Sequence, residues 1–150
     1  MTERWEVITP VRVRYADTDK MGVVYYGRYM ELFEVGRTEW IRACWRPYVE
    51  IEREGVMLPV VHAAATYRRS FFYDDVIQIH SFPAGVQNAR IRFGYELFGT
   101  DDAEPRVIGL TEHAFVDEIG KPVRLPTGLA KLLSGRVPDS FTKFGVKAFL

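Results

Sequence analysis

The segment RYADTDKMGVVYYGRYMELFEVGRTEW, residues 14–40, is central to the architecture because it joins a predicted strand to a predicted long helix. In its second half, large apolar residues recur every three or four positions, which is the period of an α-helix with one buried face. The members of this face are Tyr29, Phe33, Gly36, Trp40 and Cys44. The spacing predicts one helix over residues 27 to about 45. Cys44 on its apolar face is typical of a small buried hydrophobe rather than a nucleophile.

Strand patterns lie on both sides of this helix. Before it, Thr9 to Tyr15 alternates apolar residues with arginines, which is typical of a half-buried strand. After it come four further strand-like segments: LPVVHAAATYRRSF (58–71), DVIQIHSF (75–82), ARIRFGYELF (89–98) and RVIGLTEHAFVD (106–117). Turn-forming residues separate them at 73–75, 83–85 and 99–102. Such short connections imply antiparallel pairing.

The order of these elements predicts the fold class. A strand, a long helix and then a run of antiparallel strands favour an α+β layer in which one sheet wraps the helix. PTGLAKLLSG, residues 126–135, predicts a short helix before the tail. The tail segment SFTKFGVKAFL, residues 140–150, suggests no more than a packing segment.

Composition narrows the functional classes. A chain of 150 residues with 47% hydrophobic content matches one domain, so we expect a single domain over residues 1–150. Twenty basic and twenty acidic residues give a formal net charge of zero, which disfavours nucleic acid as a partner. One cysteine, no apolar run of about 20 residues and no signal-peptide pattern favour a soluble cytoplasmic protein without a membrane span.

Two carboxylates precede the predicted helix. Asp17 and Asp19 lie before a helix start whose first N–H groups, around Tyr26 to Tyr29, have no intrahelical acceptor. N–H groups that polarise a carbonyl beside a carboxylate are the minimum for acyl transfer, and a thioester suits this set because its thiolate leaves without a proton. The same residues are also typical of a structural loop in which Asp side chains cap the backbone. Spacing alone leaves both interpretations open.

A resemblance favours the chemical interpretation. The stretch 14–40 resembles the signature of the hotdog-fold thioesterases of the 4-hydroxybenzoyl-CoA thioesterase and YbgC-like group, which enter the central helix after Asp-x-Asp, Gly-Val-Val and an aromatic residue. LPVVHAAATYRRSFFYDDVIQI resembles the second strand of that family and its Tyr-Asp-Asp turn, and HAFVDEIGKPVRLP resembles its late strand and hairpin. The likeness covers about residues 9–135. It implies a hotdog fold and hydrolysis of acyl-CoA or aryl-CoA.

The resemblance also implies roles for individual residues. Asp19 falls at the position of the catalytic carboxylate, as nucleophile or general base, and Tyr26 at the position whose main-chain N–H faces the thioester carbonyl. Asp17 is expected to be structural. YbgC-like members usually have His where this chain has Tyr26, so the resemblance leaves the acyl group open. The residues expected to contact substrate are Gly22, Val24, Tyr25, Tyr29 and, for the nucleotide end of coenzyme A, Arg90.

The resemblance also bears on the oligomeric state and on the carrier of the acyl group. The resemblance implies a homodimer or homotetramer that pairs sheets edge to edge, with coenzyme A or acyl carrier protein as the acyl carrier and no cofactor. His62, His80 and His113 lie on separate segments without metal-ligand spacing, so no metal site is predicted. A hotdog hydratase and a non-catalytic acyl-CoA binding module remain alternatives, because fold alone does not fix function.

Overall fold

The computed structural model describes residues 5–137. The tail segment 140–150, for which a packing role was predicted, lies outside the described residues. Three helices are present: α1 (Arg28–Cys44), α2 (Tyr48–Arg53) and α3 (Thr127–Leu133). The prediction of one long helix over 27 to about 45 is confirmed within one residue at each end. No helix within residues 5–137 is long and apolar enough to cross a membrane.

Five strands form one sheet. They are β1 (Val7–Arg12), β2 (Val60–Tyr67), β3 (Val76–Gln87), β4 (Arg90–Phe98) and β5 (Val107–Ala114). Their order across the sheet is β1-β3-β4-β5-β2, and every neighbouring pair is antiparallel. The sheet therefore has β1 at one edge and β2 at the other, and the predicted α+β class is confirmed.

Several boundaries differ from the prediction, and β2 and β5 are shorter than the segments 58–71 and 106–117. The first strand ends at Arg12 rather than Tyr15, because Tyr15–Asp17 form a 3-10 turn in which the Asp17 carboxylate accepts a hydrogen bond from the Arg14 N–H. The turn predicted at residues 83–85 is wrong. Strand β3 continues there through a bulge between Pro83 and Gly85, and the chain reverses at Asn88, whose φ is 54°. A bulge admits proline within a strand, and Asn tolerates the left-handed region.

Helix α1 packs closely against one face of the sheet. Phe33 and Trp40 are fully buried there, and the Phe33 ring stacks on Tyr95 with ring centroids 4.6 Å apart. Gly36 makes the close approach feasible, since a Cβ at that position would lie 2.1 Å from Ser81 Oγ on β3. The position of α1 fixes where its N-terminus, and hence the predicted site, meets the sheet.

Candidate active site

The chain reverses direction just before α1. Asp19 N–H donates to Val23 O at 2.9 Å, and Tyr25 N–H donates to Asp17 O at 2.9 Å, so residues 17–25 form a small hairpin. Its tip is closed by a hydrogen bond from Gly22 N–H to Asp19 O at 2.9 Å. Gly22 adopts φ +81°, a region that favours glycine. The glycine thus serves the turn itself, and its predicted contact with substrate stays a prediction.

Asp17 is held by arginine. It accepts hydrogen bonds from Arg14 N–H at 2.8 Å and Arg14 Nη2 at 2.9 Å, and Arg28 Nε lies 3.8 Å away. The Arg14 hydrogen bond lowers the pKa of the Asp17 carboxyl below its ordinary value. These contacts tie the segment that follows β1 to the start of α1.

Asp19 has a different environment. Its Oδ1 accepts a hydrogen bond from Met21 N–H at 2.9 Å, and within residues 5–137 no basic side chain forms an ion pair with it. The side chain lines an open depression of about 600 Å³. The residues that line the depression are Ala16, Thr18, Asp19, Tyr25, Gly27, Arg28 and Glu31. A carboxylate without a cationic partner at such a depression keeps its lone pairs available to a reactant.

The start of α1 supplies unpaired donors beside this depression. Arg28 N–H donates to Tyr25 O at 2.9 Å and Tyr29 N–H to Tyr26 O at 3.3 Å. In the described part of the chain, the N–H groups of Tyr26 and Gly27 have no acceptor. Gly27 lines the depression directly, whereas the Tyr26 side chain, 65% exposed, does not. Unpaired N–H groups at the positive end of the helix dipole are suited to bind a developing oxyanion.

Four tyrosines surround the helix start. The rings of Tyr25 and Tyr26 stack with centroids 4.7 Å apart, and Tyr67 at the end of β2 contacts Tyr29 at 5.2 Å. The Tyr67 hydroxyl donates to Tyr26 O at 3.4 Å. Tyr29 is buried, and this burial raises the pKa of its hydroxyl to about 12. Sequence reasoning missed Tyr67, because only the sheet brings it to a helix start 41 residues earlier in the chain.

A second cavity adjoins the first. This apolar groove, of about 210 Å³, lies between α1 and two neighbouring strands, the edge strand β1 and β3. Its lining residues are Val11, Val13, Arg14, Asp17, Val24, Arg28, Glu31, Leu32, Val35 and Ile77. Val24, predicted to contact substrate, thus lines the groove rather than the depression with Asp19. Arg28 and Glu31 line both cavities, and neither was selected from the sequence.

Arg90 lies apart from these cavities. Its neighbours Ile91 and Phe93 are buried in the core, so the alternation of β4 places Arg90 on the sheet face away from α1. There its Nη1 pairs with Glu112 Oε2 at 2.6 Å, and about half of the side chain is exposed. Within one chain the structure does not bring Arg90 to the depression. In residues 5–137, no three His, Cys, Asp or Glu side chains form a group that could hold a metal ion.

The sequence and the fold both match known proteins. A family model described as the thioesterase-like superfamily matches residues 13–133. The chain belongs to the thioesterase-like superfamily. YneP of Bacillus subtilis is 31% identical to this chain over 115 residues, which are 76% of this chain and 83% of YneP. YneP is assigned by inference as an acyl-CoA thioesterase. Acyl-CoA thioesterase YbgC of Haemophilus influenzae is 35% identical over 89 residues, 59% of this chain and 65% of that one.

A solved structure gives the same result. DHNA-CoA thioesterase from Staphylococcus aureus superimposes on this thioesterase with a TM-score of 0.76 and 34% sequence identity, over 80% of each chain. The hotdog fold implied by the resemblance is therefore confirmed, and so is the prediction of a thioesterase. The roles assigned to individual site residues stay predictions.

Proposed function

We propose that this thioesterase hydrolyses acyl-CoA thioesters to a free acid and coenzyme A at the depression that contains Asp19. One observation carries the assignment: Asp19, without an ion-pair partner in residues 5–137, shares an open depression with Gly27, whose N–H is unpaired like that of Tyr26 beside it. The names of the relatives in Bacillus, Haemophilus and Staphylococcus, which refer to acyl-CoA or DHNA-CoA, support coenzyme A as the carrier. Acyl carrier protein is the alternative carrier.

The chemistry follows from these two groups. The Tyr26 N–H, with the Gly27 N–H beside it, donates to the thioester carbonyl oxygen and stabilises the negative charge that develops there. Asp19 either attacks the carbonyl carbon, giving an anhydride that water then cleaves, or removes a proton from the attacking water. In both routes the C–S bond breaks and the thiolate leaves without prior protonation, since a thiol has a pKa of roughly 8.5.

The open depression suits an enzyme that is completed by a second subunit. Strand β2 pairs only with β5 among the described strands, and Val60 and Val61 on it are each about half exposed. An apolar edge strand of this kind is a template for pairing with another chain. We therefore expect a homodimer formed through β2, which can associate further into a homotetramer. The single cysteine of the sequence supports a cytoplasmic location.

The first experiment compares wild type with Asp19→Asn. The asparagine oxygen can still accept the hydrogen bond from Met21 N–H, so the turn is kept while the negative charge is removed. Thiol release is followed with acetyl-, hexanoyl-, benzoyl- and 4-hydroxybenzoyl-CoA. We expect kcat to fall by roughly 10²–10⁴ with an unchanged melting temperature. Asp74→Asn, which changes an exposed aspartate at the β2–β3 turn, is the matched control and should keep wild-type activity.

Each alternative has its own signature in this assay. Equal thiol release by wild type and Asp19→Asn would remove Asp19 from the chemistry. Tight binding of every thioester without release of thiol would indicate a binding module instead. Consumption of an enoyl-CoA with the thioester intact would indicate a hydratase.

A further inference from the structure

The apolar groove adjoins the depression along one flank of α1, and Arg28 and Glu31 lie between the two cavities. Arg28, Glu31, Leu32 and Val35 are spaced by three, four and seven positions, so they form one stripe on the helix. Arg28 and Glu31 line both cavities, while Leu32 and Val35 line only the groove. At 1.5 Å per residue, this stripe extends about 10 Å from the helix start. A group held at the depression can thus extend along α1 into the groove.

The charged residues of the groove are all at one end. Arg14 pairs with Asp17 at 2.9 Å, Asp17 lies 3.8 Å from Arg28, and Arg28 pairs with Glu31 at 2.9 Å. This chain of ion pairs places the four charged lining residues together, beside the depression. The remaining lining residues are aliphatic: Val11, Val13, Val24, Leu32, Val35 and Ile77. None of these six carries a side-chain hydrogen-bonding group.

The partition between the cavities is weakly held. The Arg28 and Glu31 side chains are 36% and 62% exposed, and an exposed i,i+3 pair of this kind contributes little stability because water screens it. The Glu31 side chain can therefore move away from Arg28 at little cost when a ligand crosses, while Arg28 stays beside Asp17. A buried ion pair at the same place would have closed the groove.

From this geometry we infer that the groove is the acyl pocket and that it selects aliphatic acyl chains of about six to eight carbons; the inference rests on the proposed function. An extended chain advances about 1.25 Å per carbon, so about eight carbons span the 10 Å stripe. An apolar cavity of about 150 Å³ holds the six carbons of benzene. This groove measures about 210 Å³, so its volume is sufficient for an acyl chain of six to eight carbons. A hydroxylated aryl group would bring a hydroxyl against the aliphatic walls with no partner, and such pockets discriminate against an added hydroxyl by up to about 100-fold.

The test is to fill the groove. Val35 is 39% exposed at the rim, so Val35→Phe adds volume there without displacing the core. We expect the ratio of kcat/KM for hexanoyl-CoA to that for acetyl-CoA to fall at least about tenfold in Val35→Phe, and wild type to prefer hexanoyl-CoA to 4-hydroxybenzoyl-CoA. Val49→Phe, at a similarly exposed valine on α2, is the matched control and should keep the wild-type ratio.

A binding measurement keeps the inference testable without catalysis. S-(2-oxooctyl)-coenzyme A is a thioether that cannot be hydrolysed, and we expect it to shift the methyl NMR signals of Leu32 and Val35 and to bind at least about tenfold more weakly to Val35→Phe. Turnover with an unchanged ratio in Val35→Phe, or binding that leaves both methyl signals unmoved, would overturn the acyl pocket and leave the proposed function intact. Absence of turnover with any thioester, by contrast, would count against the proposed function. The methyl shifts would then still show whether the acyl chain binds in the groove.

Discussion

Asp17 and Asp19 are separated by one residue, yet the carboxylate of Asp17 is bound by Arg14 whereas that of Asp19 accepts a hydrogen bond from the Met21 N–H. The hairpin explains the difference. Its strands place Asp17 on the side of β1 and Arg28, and they place Asp19 at the turn that closes on Gly22. Two carboxylates so close in sequence therefore have separate tasks: one joins β1 to α1, and the other faces the depression.

The main-chain N–H of Tyr26 can be removed without altering the rest of the peptide. Tyr26 occupies the first central position of the turn closed by Arg28 N–H and Tyr25 O, and proline is favoured at that position. Tyr26→Pro deletes the proposed oxyanion donor, so we expect kcat to fall by roughly 10²–10³. Tyr26→Ala removes the same side chain but keeps the N–H. It should lose far less activity, and equal losses in the two variants, measured by thiol release, would contradict a role for the main chain.

The prediction that Arg90 binds the phosphates of coenzyme A can be separated from chemistry. Arg92 Nε also pairs with Glu112, at 2.7 Å, so Arg90→Gln leaves that buried carboxylate with a cationic partner. We expect KM for acyl-CoA to rise about three- to tenfold with kcat unchanged, since a charge-assisted phosphate contact is lost.

The control substrate is an acyl N-acetylcysteamine thioester, which has no phosphate. Its kcat and KM should be the same in wild type and Arg90→Gln. The matched control, Arg53→Gln on α2, should leave kcat and KM unchanged for both substrates. A rise in KM for both substrates would mean that Arg90 acts on the fold rather than on the nucleotide.

The sequence predicted those parts of the molecule whose causes are local. The helix followed from Tyr29, Phe33 and Trp40 at helical spacing, and the strands from alternation and short turns. The bulge at Pro83–Gly85 was missed because the register between β3 and β4 depends on tertiary pairing, not on turn propensity. The same limit applies to the contact of Tyr67 with Tyr26, which exists only after the sheet has formed.

The close approach of α1 to the sheet predicts a large effect of one methyl group. A Cβ at Gly36 would lie 2.1 Å from Ser81 Oγ and 2.7 Å from Ile79 Cγ2, and both of these residues are fully buried. We expect Gly36→Ala to lower the free energy of unfolding by about 1–3 kcal/mol, because the core cannot move aside.

The matched control for this variant is Gly128→Ala on α3. There a Cβ would meet only Trp45 Nε1, at 4.0 Å, so helix propensity should dominate and stability should stay constant or rise by up to about 1 kcal/mol. Urea unfolding of both variants measures the difference. Equal stability of the two would show that α1 lies further from β3 than the structure indicates.

The buried His113 should lower the free energy of unfolding at mildly acidic pH. Its Nδ1–H donates to Leu58 O at 3.0 Å, so in the neutral ring Nε2 accepts from the Thr111 hydroxyl at 2.8 Å, and Thr111 in turn accepts from the Tyr95 hydroxyl at 2.6 Å. Burial, with a further contribution from Arg37, lowers the pKa of His113 to about 4. Protonation would replace the acceptor at Nε2 with a donor and break this chain.

The sign of the pH effect follows from the two states. An unfolded histidine has a pKa of about 6.5, so between pH 6.5 and pH 4 the unfolded chain takes up a proton that the folded chain does not. The free energy of unfolding should fall by about 2 kcal/mol between pH 7 and pH 5 from this residue alone. In His113→Gln, which is less stable at pH 7, that part of the slope should vanish. His62→Gln on β2, where the side chain is exposed, should retain it, and identical slopes in the two variants would assign the pH dependence to other groups.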